Sequence, residues 1–551
     1  MELTGRFDYT APMDNTKRLI TGARIFTADP ERLWAEVLLV DGDRIVSVGG
    51  REIIDDCSGA DIECLDLAGG LVVPGFVDGH VHIAMTGSSM QKAQLQGAGS
   101  LEEIKRRLLE WAQANPEAPR VLGTNWVHGD IPGGIPSREM LDSIIPDRPV
   151  YLEAFDFHSS WVNSAALLEL GIDRDTPDPM GGQFVRDPTT GDATGYLLEN
   201  ASVNYVWSLL NNVEPQVREQ HIATALDAFS RAGITSVVDM ALEEPELEAM
   251  RRICDRGELK LRIVGHMIIY PSGNPAEELA MVQRAVELAG QYRGDMLRVG
   301  GIKIIGDGTI DNCTAGLSKP YTNGASAEPM WEAAALNPVV AAADAAGLQV
   351  AIHAIGDTTI TLAVDAIEYA MRINGSSGRR HRIEHLEYAR QADIERMGSL
   401  GITASMQPVH LDPQFLDNWK AMLGEQRAKQ GWAWPLYQAA GSTLAFGTDT
   451  PTAPYLPLIN MYLGSTRKSP ARPELPALRP DWALTLEQAI QCGTRESAWA
   501  ARLEHATGML RPGLAADLVV LDRDVLSEGP PALLDANVWL TMINGEIVHS
   551  A

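Results

Sequence analysis

The stretch GFVDGHVHI, residues 75–83, decides the fold prediction, because it joins an apolar run to two closely spaced histidines. The run LVVP precedes it, and His80 and His82 stand one residue apart near its end. Alternate side chains of a β-strand point to the same face, so a strand here turns both imidazoles in one direction. Since imidazole is a frequent metal ligand, the stretch predicts a strand with two candidate ligands at its end.

Beyond this stretch, short apolar segments alternate with alanine-rich helical segments such as NPVVAAADAAG, residues 337–347. Such alternation favours parallel βα units, and about eight strands favour a closed (β/α)8 TIM-like barrel over an open sheet. The predicted strands are 71–82, 235–240, 261–270, 299–305, 349–353, 381–387, 403–407 and 443–447. Residues of about 101–213 break the rhythm and predict an insertion after the first strand, as a lid, a dimer contact or both.

Both ends of the chain read as short strands separated by turn signals, including Asn544-Gly545 near the C-terminus. We therefore predict that residues 16–70 and 505–551 form one composite β-sandwich domain. Residues 71–504 then form the barrel with its insertion, and residues 1–15 form a flexible tail.

Composition narrows the class of protein. The 551 residues are 45% hydrophobic, which is enough for a sizeable core, and their net charge is −28. An acidic surface repels phosphate backbones and anionic lipids, so nucleic acid and membranes are excluded as expected partners. The five cysteines are scattered and contain no CxxC pair, which argues against disulfides and thiolate zinc sites. With no signal-peptide pattern, we expect a cytoplasmic protein.

Metal-capable residues fall at or near the ends of several predicted strands. They are His80, His82, Lys303, His353, His385 and Asp449. Taken singly, each has an ordinary explanation: a hydrogen-bonded histidine, a lysine whose amine reaches solvent, or an aspartate that caps the next segment. In a barrel, however, the carboxyl ends of the strands meet on one face, where active sites lie. The barrel and the ligand set therefore support each other.

The chain resembles the amidohydrolase superfamily of metal-dependent hydrolases. The resemblance rests on GFVDGHVH, on the lysine of GIKIIGDG, on the histidines of HAIGD and RIEHLE, and on the aspartate of GTDTP. It extends over about residues 19–548. The segment PSREMLDSIIPDRPVYLEAFDFHSSWVNSAAL, residues 136–167, is similar to the branch that contains N-substituted formamide deformylases.

The resemblance implies a binuclear centre, with two Zn²⁺ ions per chain or other divalent metals in their place. His80, His82 and Asp449 would hold one ion, His353 and His385 the second, and a CO2-derived carbamate on Lys303 would join them. Asp449 would act as general base and then general acid in hydrolysis of a carbon–nitrogen bond by a metal-activated water. Without carboxylation of Lys303, a site with one zinc ion is the remaining arrangement.

Further residues are candidates for the substrate pocket. Matching histidines in the resembled branch imply that His158 and His410 are catalytic, through a hydrogen bond or charge near the substrate carbonyl. The substrate-binding candidates are Trp126, His128, Trp161, Gln407, Trp432 and Trp434. Tryptophans usually pack in cores, but in these loops they motivate the hypothesis of an apolar or aromatic substrate group.

Other activities stay open on the same residues. Deaminases of the superfamily usually carry a glutamate three residues after the histidine of the fifth strand, and Gly356 stands there instead, which favours amide hydrolysis. Hydrolysis of a cyclic amide, carbamate or ester is an alternative, because specificity resides in loops. A non-catalytic scaffold is a third reading, which the intact ligand set disfavours. A homodimer is compatible with such barrels.

Overall fold

The computed structural model describes residues 17–57, 62–155, 157, 159–179, 181–375 and 378–551. The predicted tail, residues 1–15, and His158 lie outside the described residues. The chain divides into two compact units: the first combines the chain up to His82 with Leu226–Ala551, and the second is Ile83–Ala225. The second unit contains the whole predicted insertion, about residues 101–213, and extends beyond it along the chain at both ends.

Eight parallel strands of the first unit form a TIM-like barrel. The strands are β1 Phe76–Val81, β2 Ile234–Leu242, β3 Arg262–Ile269, β4 Leu297–Ile305, β5 Gln349–Ala354, β6 Arg382–His385, β7 Thr403–Met406 and β8 Leu444–Phe446. They pair in chain order from β1 to β8, and a parallel bridge between Val81 and Thr450 joins the last strand to the first. The barrel prediction is therefore confirmed.

The first predicted strand, 71–82, is wrong as a single element. Leu71–Pro74 pairs with Arg24–Phe26 and Leu518–Leu521 in a different sheet, and β1 begins only after Gly75. A Cβ at Gly75 would lie 2.3 Å from the Thr235 side chain, so the chain can pass from one sheet to the other only without a side chain here. The other seven predicted strands agree with the structure to within about two residues at each end.

Helices follow the barrel strands, as in βα units. They are Glu244–Asp255, Pro275–Gln291, Ala333–Ala345, Asp357–Asn374, Gln391–Leu400, Leu416–Leu423, Glu425–Ala428, Trp434–Ala440, Pro457–Thr466, Leu486–Cys492 and Arg495–Ala500. Several begin with polar caps. The Thr485 side chain accepts from the Gln488 amide while the Gln488 side chain accepts from the Thr485 amide, which satisfies two otherwise unpaired donors.

Strands from both chain ends form two further sheets of the first unit. One contains Lys17–Thr21, Val37–Asp41, Arg44–Gly49 and Ile62–Asp66. The other contains Arg24–Phe26, Trp34–Ala35, Leu71–Pro74, Leu518–Leu521, Val538–Ile543 and Glu546–Ser550. Residues of both sheets, among them Ile20, Val40, Val520 and Met542, share one buried cluster. That the two sheets form a sandwich domain stays a prediction.

The second unit contains its own mixed sheet and core. In spatial order its strands are Gly182–Arg186, Ala193–Glu199, Ser159–Val162, Val150–Ala154, Val121–Trp126 and Ala93–Gln94. Its helices include Ile83–Met90, Leu101–Ala114, Arg138–Asp142, Ser164–Leu170 and Ser208–Asn211. Across the described residues of both units, no helix combines the length and the apolar character needed to cross a membrane.

Candidate metal centre

The barrel brings the predicted ligands to one end of its strands. His80 and His353 are the penultimate residues of β1 and β5, and His385 is the last residue of β6. Lys303 lies two residues before the end of β4, and Asp449 follows β8. The carboxyl ends of parallel strands are where barrel enzymes place their reactive groups, so these residues form a candidate active site.

The Nε2 atoms of His80 and His82 both face the carboxylate of Asp449. His80 Nδ1 lies 2.8 Å from Glu384 Oε2, and His82 Nδ1 lies 2.7 Å from the Met240 carbonyl oxygen. Because Glu384 and the Met240 carbonyl only accept, each Nδ1 carries a proton, and in a neutral ring the Nε2 atom is then the one that presents a lone pair. These Nε2 atoms lie 3.2 and 3.1 Å from Asp449 Oδ1. Acceptors that converge so closely repel one another unless a cation lies among them, so the donor set fits a metal ion.

The protonation of this group agrees with a metal site. Burial, together with the amine of Lys303, lowers the pKa of His80, which disfavours a second proton on its ring. A neutral imidazole and an ionised carboxylate are the forms that bind metal.

His353 and His385 lie beside this group. Their ring centroids are 4.3 Å apart, and those of His80 and His385 are 5.1 Å apart. His385 Nδ1 is buried 4.0 Å from Asp449 Oδ2 and has no hydrogen-bond partner among the described residues. Burial lowers the pKa of His353 to about 3 and also lowers that of His385, so both rings are neutral. An orphaned, neutral and buried imidazole nitrogen fits a second ligand position.

Lys303 is buried at the centre of the set. Its side chain is 1% exposed, and its Nζ lies 3.3 Å from His80 Nε2. Burial lowers the pKa of Lys303 to about 8, although the carboxylates of Glu384 and Asp449 oppose that shift. A larger fraction of this amine than of an ordinary lysine is therefore uncharged near neutral pH, and the uncharged amine is the form that reacts with CO2.

His410 and Gln407 also lie at the metal centre. His410 Nδ1 lies 3.3 Å from Glu387 Oε1, and its Nε2 lies 3.6 Å from Asp449 Oδ2. Burial disfavours the charged ring of His410, but Glu387 and Asp449 outweigh it and raise its pKa. Gln407 Nε2 lies 3.4 Å from His80 Nδ1. His410 can therefore donate a hydrogen bond beside Asp449, as predicted for a group near the substrate carbonyl.

Sequence reasoning missed the carboxylates that support this centre. Glu384 is fully buried, and it receives hydrogen bonds from Arg382 Nε and Nη2 at 2.5 and 3.0 Å. Ligand atoms of His80, His385 and Asp449 all lie within 4.8 Å of one another, and Glu387 forms a second such set with His385 and His410. The spacing in RIEHLE was the available signal, because Arg382 and Glu384 occupy alternate positions of a strand and share a face.

The structure gives the predicted tryptophans packing roles. Trp126 and Trp161 belong to the core of the second unit, and in the same unit His128 Nε2 lies 2.7 Å from the Tyr196 hydroxyl. In the first unit, the Trp432 ring stacks on Trp419 at 4.1 Å, and Trp434 lies under the Arg467 guanidinium. All four predicted indoles are at most 1% exposed. Their contact with substrate stays a prediction.

Comparison with known proteins identifies the family of this chain. A model of the Amidohydrolase family matches residues 63–549. The chain belongs to the amidohydrolase family. It is 29% identical over 554 residues to Protein LONG AFTER FAR-RED 3 of Arabidopsis thaliana, covering 96% of this chain and 91% of that protein. It is 25% identical over 550 residues to the N-substituted formamide deformylase of Arthrobacter pascens, covering 96% and 97%.

A solved structure shares the amidohydrolase fold. An uncharacterized metal-dependent hydrolase from Pyrococcus horikoshii OT3 superposes with a TM-score of 0.74 at 26% identity, over 93% of this chain and 98% of that one. The predicted family and its deformylase branch are therefore confirmed, and membership implies a hydrolase with a divalent metal.

Proposed function

We propose that this amidohydrolase hydrolyses a carbon–nitrogen bond of the amide type in a small molecule. The observation that carries the proposal is the convergence of three candidate ligand atoms: His80 Nε2 and His82 Nε2 lie 3.2 and 3.1 Å from Asp449 Oδ1. Such a donor set binds a Lewis acid and leaves a carboxylate beside it for proton transfer.

His80, His82 and Asp449 would hold one zinc ion, and His353 and His385 would hold the second. A carbamate on Lys303 would supply two oxygens between them. When bound, the metal lowers the pKa of water and polarises the substrate carbonyl.

The chain's own groups then handle the proton and the substrate. Asp449 accepts the proton of the attacking water and returns it to the leaving nitrogen. His410, whose Nδ1 is held by Glu387, directs Nε2 towards the same carboxylate and hydrogen-bonds the substrate oxygen there. Thr452 Oγ1, 3.3 Å from that Nε2, helps to fix the ring.

The geometry at Gly356 supports hydrolysis over deamination. A Cβ at this residue would lie 2.2 Å from the Gly316 carbonyl oxygen, so no glutamate side chain can occupy the position. The backbone amide of Gly356 also donates to Asp307 Oδ2 at 2.9 Å, which fixes the turn after β5. The proton shuttle expected of a deaminase is therefore absent at this position.

Elemental analysis and an amide screen test the proposal. Purified protein should contain about two zinc-like ions per chain, and Lys303→Met should lower that number to about one. The metal-loaded protein should hydrolyse N-substituted formamides or other N-aryl and N-alkyl amides, and chelation should abolish this. Turnover of lactams, carbamates or esters alone would favour the alternative substrates. A folded protein that refuses added zinc would contradict the proposal and favour a scaffold.

A further inference from the structure

A second candidate site lies at the amino ends of the barrel strands. A cavity of about 340 Å³ is bounded there by the start of β3, β4 and β5 and by the residues around Arg502. Lys303 is five residues further along β4 than Arg298, which at the rise of a strand is roughly 16 Å. The cavity is thus separate from the metal centre. Its volume suits a small organic ligand.

Three arginines line this cavity: Arg293, Arg298 and Arg502. Arg293 and Arg298 are directly opposite each other in an antiparallel bridge. Like charges in that relation are destabilising unless something of opposite charge lies between them. In the part of the chain that the structure describes, none of the three guanidiniums forms an ion pair with a carboxylate.

Backbone carbonyls hold two of these guanidiniums in place without neutralising them. Arg298 Nη2 donates to the carbonyl oxygens of Ala501 and Arg502 at 2.7 and 2.8 Å. Arg502 Nη1 donates to the Gly347 carbonyl oxygen at 3.2 Å. The side chains of Arg298 and Arg502 therefore have fixed directions and further N–H groups, which is the preorganisation that an oxyanion site requires.

Neighbouring carboxylates leave this charge uncompensated. Glu504 pairs with Arg380 at 2.6 Å, and Asp344 pairs with Arg379. Asp295 and Glu504 attract Arg298 from a distance, but burial and the repulsion of Arg502 outweigh them and lower its pKa. In a chain of net charge −28, a cavity lined by three arginines without a carboxylate partner is a local positive region that favours an anion.

We propose that this cavity binds the phosphate group of a small phosphate monoester. Three guanidiniums match a dianion with three terminal oxygens better than they match a carboxylate. The side chains of Val286, Ala346 and Leu348 supply an apolar wall for the organic part of the ligand. This site goes beyond the proposed hydrolase function and does not depend on it.

Isothermal titration of the intact, metal-loaded protein with phenyl phosphate tests the proposal, with phenol as the uncharged probe. Arg293 is exposed, and its only described hydrogen bond is a long one, 3.4 Å, to the Ala289 carbonyl oxygen, so Arg293→Gln should fold normally. We expect phenyl phosphate to bind and phenol not to bind. Arg293→Gln should weaken binding at least tenfold, because it removes a charge-assisted hydrogen bond.

Arg51→Gln is the matched control, since it removes the same charge from an exposed residue that does not line the cavity. Its affinity should equal that of the unaltered protein. Hydrogen exchange should show protection by phenyl phosphate in residues 286–300 and 346–349. Absence of binding, or binding that Arg293→Gln leaves unchanged, would overturn the proposal, and the latter would assign the phosphate to the metal centre instead.

Discussion

Glu384→Gln should weaken metal binding without changing any ligand. Glu384 Oε2 accepts the Nδ1 proton of His80 at 2.8 Å, which directs Nε2 towards Asp449. The substitution replaces a charged acceptor with an amide that can also present its NH2 group to the ring. Supporting carboxylates of this kind typically contribute 10–100-fold to metal affinity, or about 1.4–2.8 kcal/mol.

The same substitution should also destabilise the metal-free protein, because Arg382 loses its buried partner. Breaking a buried pair costs about 3–5 kcal/mol. Arg382 keeps hydrogen bonds to the Gly79 carbonyl oxygen at 2.7 Å and to Ser405 Oγ at 2.6 Å, so we expect a loss near the lower end of that range. Urea unfolding of metal-free protein measures the second effect, and competition with a chromophoric chelator measures the first.

A second histidine that is hydrogen-bonded to a buried carboxylate with an arginine partner provides the control. Asp344 bonds His381 Nε2 at 2.9 Å and also pairs with Arg379, but His381 does not contact the metal centre. Asp344→Asn should therefore lower stability and leave metal affinity unchanged. If Glu384→Gln bound zinc as tightly as the unaltered protein, or if Asp344→Asn lost the same affinity, the reasoning about His80 would be refuted.

Three further predictions concern the fold and the reaction. Gly75→Ala should lower the free energy of unfolding by about 2 kcal/mol, because its Cβ would meet Thr235, whereas Gly129→Ala has open space and should change it by less than about 0.5 kcal/mol in the same urea titration. Asp449→Asn should lower kcat at least about 100-fold on whichever amide the screen identifies, and a smaller loss at equal metal content would contradict its role in proton transfer. Dialysis against chelator should abolish turnover and leave the circular dichroism unchanged, since the ligands stand on hydrogen-bonded barrel strands; zinc should restore turnover, and activity that survives metal loss would exclude the mechanism.

The sequence predicts the barrel well because its strands are short apolar runs followed by amphipathic helices. It fails at residues 71–82, where a continuous apolar run crosses between two sheets and only the close approach of Gly75 to Thr235 marks the boundary. Strand alternation alone would also place the adjacent side chains of Glu384 and His385 on opposite faces of the sheet. The backbone of His385 is left-handed, with φ of 76°, and turns its ring to the same centre. Asp449 likewise has φ of 59°. Such strained residues are frequent at functional sites, and residue identity does not reveal them.

A histidine with a buried carboxylate partner is not by itself a metal ligand, and this protein shows why. His381 and His80 each bond a buried carboxylate. The other nitrogen of His381, Nδ1, accepts the backbone N–H of Val350 at 3.1 Å, so the protein satisfies both positions. The other nitrogen of His80, Nε2, lies 3.2 Å from Asp449 Oδ1 and 3.3 Å from Lys303 Nζ, and both of these groups are candidate metal ligands. A metal ligand is therefore distinguished by what lies opposite its second ring nitrogen. The sequence shows only that both residues are histidine and does not reveal these partners.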